Sequence, residues 1–120
     1  MSVRDAHEWW SWVVVVSNAV VGLWALAAER APALRVTALW RATLVAELTV
    51  FVQVVLGVVL VDRSGSRLPR FHAFYGFVAI AAIGIIYSYR AQMRHRLYLL
   101  YGFGGLFIMG LGIRAMLLRT

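Results

Sequence analysis

The sequence contains no cysteine and no lysine, and only five of its 120 residues are acidic. The absence of cysteine excludes disulfides, thiolate metal sites and cysteine nucleophiles. All twelve basic residues are arginine, and they leave the chain with a net charge of +7. Arginine without lysine, together with abundant valine, alanine and leucine, is typical of a protein from a GC-rich bacterial genome.

Charge is also scarce inside four long apolar runs, which fill most of the chain. They cover residues 9–28, 42–61, 71–89 and 97–118. Each run is long enough to cross a bilayer as a helix, which takes roughly 17–25 residues. The hydrophobic content of 62% also exceeds the value of about 45–50% that is usual for soluble domains. The sequence therefore predicts an all-α integral membrane protein, with residues 1–120 forming one antiparallel four-helix transmembrane bundle.

The arginines lie mainly in short segments beside the apolar runs, where they meet lipid headgroups. A soluble chain of this charge would be a candidate for nucleic-acid binding, but here we expect no nucleic-acid partner. The densest basic segment is 90–96. The tendency of basic loops to stay inside the cell then places this segment in the cytoplasm and both termini outside the bacterial cytoplasmic membrane.

The charged and amide side chains in the first two apolar runs are Asn18, Glu47 and Gln53. Glu47 lies about 8 Å from the loop end of the second run, at a rise of about 1.5 Å per residue. A carboxylate at that depth is either a proton or cation site or an interfacial acid that reaches an arginine or a tyrosine. Asn18 and Gln53 fall at about the same depth in the first and second runs, which allows a hydrogen bond that latches the two helices together.

Glycines occur at helical spacing in the last two runs. Gly102, Gly105 and Gly112 share one face of the fourth run with Met109, and Gly76 belongs to a matching face of the third run. Small residues let helix backbones approach closely in lipid. We expect these faces to pack the third and fourth helices together, with a contact to a second copy or to a larger membrane complex as the alternative.

Two histidines lie at the same predicted membrane face. His72 opens the third run, and His7 precedes the first, whereas His95 stands between two arginines in a connection. Haem iron takes axial imidazole ligands, and haem in helical proteins is held between helices. The placement allows a b-type haem site formed by His72 and His7, and the alternative is that both are ordinary interfacial histidines.

The sequence before and after His72 resembles part of a known protein family. Residues 53–57 read Gln-Val-Val-Leu-Gly, and residues 72–76, after a short Gly/Ser/Pro loop, read His-Ala-Phe-Tyr-Gly. Over residues 51–84 this order resembles one helical hairpin from half of a haem A synthase, a haem-binding membrane enzyme, and the resemblance implies that His72 is a haem ligand. That family has eight spans and a Glu-x-x-His-Arg type motif, which this chain lacks. The whole chain also resembles a family of small actinobacterial four-helix membrane proteins with no assigned function.

These features leave three functions open. The first is a noncatalytic accessory or assembly subunit of a membrane complex, such as a respiratory one. The second is a small b-type haem protein with His72 as a ligand. The third is a small dimeric proton-coupled transporter that uses Glu47, although small multidrug-resistance proteins carry their glutamate in helix one. An enzyme is the least favoured class because no catalytic set of residues converges in the sequence.

Overall fold

The computed structural model describes residues 2–64 and 70–117, and in these ranges the chain forms four α-helices and no strand. The helices are α1 (Val3–Arg30), α2 (Thr37–Ser64), α3 (Arg70–Ser88) and α4 (Leu97–Leu117), with short 3-10 helices at Pro32–Leu34 and Arg94–Arg96. The all-α prediction is confirmed. The first two helices begin earlier than their apolar runs, at residues 3 and 37 instead of 9 and 42.

Three helical segments are long and apolar enough to cross a membrane, namely Val3–Arg30, Thr37–Asp62 and Arg94–Leu117. The third helix contributes a shorter apolar segment, His72–Ser88. Lengths and compositions of this kind are typical of a membrane-embedded protein.

Local sequence determines both ends of α1. The side chain of Ser2 accepts a hydrogen bond from the Asp5 N–H (3.1 Å), and the Asp5 carboxylate accepts one from the Ser2 N–H (3.3 Å). This reciprocal pair is a capping box. At the other end Arg35 donates from Nε to the Ala28 carbonyl (2.7 Å) and from Nη2 to the Glu29 carbonyl (2.6 Å). These bonds satisfy carbonyls of the last helical turn and hold the connection against α1.

The most extensive helix contact, between α1 and α4, is built on glycines. A Cβ atom added to Gly105 would lie 3.0 Å from the Cα of Gly22 and 3.1 Å from the carbonyl oxygen of Asn18. One added to Gly22 would lie 3.0 Å from the carbonyl oxygen of Gly102. Because these residues lack side chains, the two backbones touch directly. The glycine face of α4 therefore packs against α1, whereas the sequence predicted α3 as its partner.

The third helix packs on α4 through a different glycine. A Cβ atom added to Gly104 would lie 2.5 Å from the side chain of Ile86, whereas one added to Gly76 would meet no atom of the described residues within 4 Å. Gly112 lies against Val15 of α1, where an added Cβ would be 3.1 Å from the valine side chain. Within the described residues Gly76 therefore does not pack against another helix as predicted, and it borders an open space between α2 and α3.

Asn18 of α1 is buried at the contact with α2, with 1% of its surface exposed. Its amide donates to the carbonyls of Val14 (2.9 Å) and Ala46 (3.3 Å). Gln53 lies seven residues beyond Ala46, or about 10 Å along α2. Because α2 begins at Thr37 and not at residue 42, Ala46 is level with Asn18, and the predicted hydrogen bond between Asn18 and Gln53 does not form.

Candidate functional site

A cavity separates α2 from α3. The second helix packs on α1 and the third on α4, but the two have few contacts with each other. The space between them has a volume of about 510 Å³ and is bordered by side chains from all four helices. This volume lies in the range of roughly 300–1,000 Å³ that is usual for small-molecule sites. Most of the wall is aliphatic or glycine, and the polar side chains in it are His7, Ser11, Gln53, Asp62, His72 and Tyr75.

His7 and His72 meet in the wall of this cavity. Their ring centroids are 5.9 Å apart, and the ring planes are inclined by 73°. His7 lies in the second turn of α1, since that helix begins at Val3, and His72 lies in the first turn of α3. The structure thus brings together the two histidines that the sequence analysis singled out.

A backbone carbonyl orients the ring of His72. Its Nδ1 atom is 2.7 Å from the carbonyl oxygen of Ala115. Because a carbonyl can only accept, Nδ1 is the donor, and in the neutral ring Nε2 then carries the lone pair. Ala115 belongs to the last turn of α4, whose carbonyls have no partner within their own helix. Metal-binding histidines characteristically make such a bond through the nitrogen that does not face the metal.

Two residues of α2 position the segment that carries His7. The side chain of Gln53 donates from Nε2 to the backbone carbonyl of His7 at 2.9 Å. A Cβ atom added to Gly57 would lie 3.2 Å from Cε1 of the His7 ring, so the ring rests on the glycine backbone. Gln53 and Gly57 are four residues apart and therefore share one face of α2.

The donor set favours one kind of metal group. Within residues 2–64 and 70–117 no cluster of three or more His, Cys, Asp or Glu residues could hold a metal ion. Two imidazoles are too few for a structural zinc site, but haem iron needs only axial ligands from the protein. A metal about 2.0–2.1 Å from one nitrogen of each ring would separate the centroids by roughly 6 Å. The observed 5.9 Å is close to that spacing, so two imidazoles at this distance are compatible with a haem.

Glu47 lies outside this cavity. It is partly buried in the half of α2 that is nearer to Thr37. Tyr101, a tyrosine of α4, lies close enough to Glu47 for an electrostatic interaction and packs edge-on against Trp40, with centroids 5.3 Å apart. Tyr87, a tyrosine of α3, accepts a hydrogen bond from Arg90 at 2.8 Å.

Sequence reasoning missed two residues of the site. Ala115 acts through its backbone carbonyl, and nothing in its side chain signals that role. Gly57 follows Gln53 by one helical turn, which is a signal, but Gln53 was assigned to Asn18 and the pair went unrecognised.

Comparison with protein families, with characterised proteins and with solved structures gave no match to this chain. No residue role can therefore be transferred from a relative. The two-histidine cavity has to be interpreted from its own geometry and chemistry.

Proposed function

We propose that this chain is an integral membrane protein that would hold a b-type haem in the cavity between α2 and α3 through His7 and His72. The observation that carries the proposal is the pair of imidazoles 5.9 Å apart in a largely apolar cavity. In this proposal the four helices cross the bacterial cytoplasmic membrane antiparallel to one another. The haem would lie near the membrane face that carries the termini, which is the outer face in this proposal because the basic loop 90–96 is expected in the cytoplasm.

Each residue of the site has a separate task. His72 presents Nε2, while the Ala115 carbonyl orients the ring through its hydrogen bond with Nδ1. Gln53 and Gly57 hold the segment and ring of His7. The aliphatic walls of the cavity would exclude water from a bound haem. A bound b-type haem would supply one-electron redox chemistry at this position.

The cavity supports a haem-holding role better than a hydrolytic one. Ser11, the hydroxyl residue nearest to His7 in the sequence, donates its one hydroxyl proton to the carbonyl of Glu8 at 2.5 Å and therefore not to a histidine. We therefore propose a noncatalytic accessory or assembly subunit that holds haem within a larger membrane complex or a homodimer. The resemblance of residues 51–84 to a haem A synthase hairpin supports His72 as the same ligand. Glu47 is not in the cavity wall, so no observation connects it with a transport path through this site.

An absorption spectrum tests the proposal directly. The protein would be purified in mild detergent from cells supplied with a haem precursor, and spectra would be recorded before and after reduction with dithionite. We expect an oxidised Soret band and sharp α and β bands on reduction, with haem and protein in equal amounts. Folded protein that shows only tryptophan and tyrosine absorption, even after incubation with haemin, would refute the proposal.

Filling the cavity from Gly76 should prevent haem binding without damaging the fold. A leucine there would project into open space, because no described atom lies within 4 Å of an added Cβ. Replacement of a mid-helix glycine also favours the helix by roughly 0.5–1 kcal/mol. For Gly76→Leu we expect haem content to fall about tenfold or more at unchanged helicity, because a drug-sized pocket loses its ligand space. Haem is quantified by absorbance and helicity by circular dichroism.

Gly84→Leu is the matched control for this prediction. Gly84 lies two turns further along the same helix, is exposed, and also has no described atom within 4 Å of an added Cβ. It does not line the cavity, so we expect this variant to retain its haem. An equal loss of haem in both variants would show that the cavity is not the binding site.

A further inference from the structure

The cavity opens sideways, between two helices. Val58 of α2 and Phe77 of α3 line the cavity, and yet 63% and 72% of their surfaces are exposed. A side chain that borders a cavity and is also exposed on the outside lies at its rim. The two residues belong to different helices, so this part of the rim lies between α2 and α3 and not only at the end of the molecule.

The surface around this rim is apolar. Val55 on α2 and Phe74 on α3 are large and exposed. Val58 lies within the candidate span Thr37–Asp62, four residues or about 6 Å from its end. In a bilayer this opening would therefore face the outer part of the hydrocarbon layer.

The packing around the opening makes it easy to widen. Contacts of α2 with α1 and of α3 with α4 are extensive, whereas those between α2 and α3 are few. Separating α2 from α3 at this point would break little packing and expose no additional backbone hydrogen bonds, since each helix keeps its own. Regions with few buried contacts are the ones that open at low free-energy cost.

We propose that the ligand enters and leaves the cavity from the lipid, through the opening between Val58 and Phe77. The inference rests on the proposed function, which makes that ligand a haem. A flat, mostly apolar macrocycle dissolves in the outer hydrocarbon layer and passes edge-on between two helices. Such a route suits a subunit that receives haem from the membrane or passes it to a neighbouring protein without releasing it into water.

A cross-link over the opening tests the route. The chain has no cysteine, so Val58→Cys combined with Phe77→Cys provides two unique sites for bismaleimides of several lengths. Cross-linking before haem is added should slow uptake by about tenfold or more, because binding then loses the required opening motion. Cross-linking afterwards should slow transfer of haem to apomyoglobin by a similar factor. Haem absorbance follows both rates, and mass spectrometry counts the cross-links. Single-cysteine variants with a monofunctional maleimide are the controls.

A bulky side chain provides a second test that needs no cross-link. Val58→Trp narrows the opening, and Val55→Trp is the matched control, since Val55 is 60% exposed on the same helix but does not line the cavity. We expect only Val58→Trp to slow haem exchange. Unchanged rates in both the cross-linked protein and Val58→Trp would overturn the lateral route and leave the haem proposal intact. If the unmodified chain takes up no haem, the proposed function fails and the lateral route falls with it.

Discussion

In the His72→Ala variant we expect the haem absorption bands to disappear. The change removes one of the two imidazoles that face each other at 5.9 Å and the ring that the Ala115 carbonyl holds in place. Loss of a partner that merely orients a metal ligand typically costs 10–100-fold in metal affinity. Loss of the ligand itself should cost about 100-fold or more. Titration of the purified protein with haemin, followed at the Soret band, measures this difference.

The histidine prediction needs evidence that the variant still folds. The change also removes the hydrogen bond to Ala115, which contributes about 1 kcal/mol to stability, so circular dichroism and thermal melting should change only slightly. Added imidazole should restore the bands by occupying the space that the side chain leaves. His95→Ala is the control, because His95 is exposed in the connection before α4. Bands that persist unaltered in His72→Ala would exclude this residue as a ligand.

Gly105→Leu is expected to destabilise the fold strongly. An added Cβ would lie 3.0 Å from the Cα of Gly22 and 3.1 Å from the carbonyl oxygen of Asn18, and both atoms are backbone. Inserting side-chain atoms into a packed interior typically costs 1–3 kcal/mol. Because the backbone of α1 cannot rotate away as a side chain does, we expect a cost of about 3 kcal/mol or more. This corresponds to a fall of roughly 10 °C or more in the apparent Tm in detergent.

Gly110→Leu provides the comparison for the α1–α4 contact. Gly110 lies on the same helix and is exposed, and an added Cβ would meet no described atom within 4 Å. Its replacement by leucine should leave the apparent Tm unchanged or raise it slightly through helix propensity. If Gly105→Leu melted at the same temperature as Gly110→Leu, the direct backbone contact between α1 and α4 would be contradicted.

The histidine site shows how far sequence reasoning could reach. His7 and His72 were recognisable as a pair at one predicted face, because counting residues along apolar runs gives approximate depth in a membrane. The position of His7 before the first run did not reveal that it is part of a helix. The Ser2–Asp5 capping box starts α1 at Val3 and so brings His7 into that helix.

The polar residues of α2 show where that reasoning fails. Depth counted from the edge of an apolar run carries an error of several residues, because a helix begins where its backbone and caps allow and not where hydropathy changes. That error placed Gln53 beside Asn18, whereas the structure places Ala46 there and brings Gln53 to His7. For the same reason the sequence did not reveal the role of Gly57, which depends on the His7 ring that packs against it.

The sequence by itself determined that the chain forms long apolar helices capable of spanning a membrane, because hydropathy over about twenty residues is a local property. It also singled out the few polar side chains among the apolar runs. Only the tertiary structure decided that α4 packs on α1, that α2 and α3 stay apart, and that Gly76 borders a cavity. Those outcomes depend on how glycines and side chains of different helices fit together, and the pattern along a single helix does not contain that information.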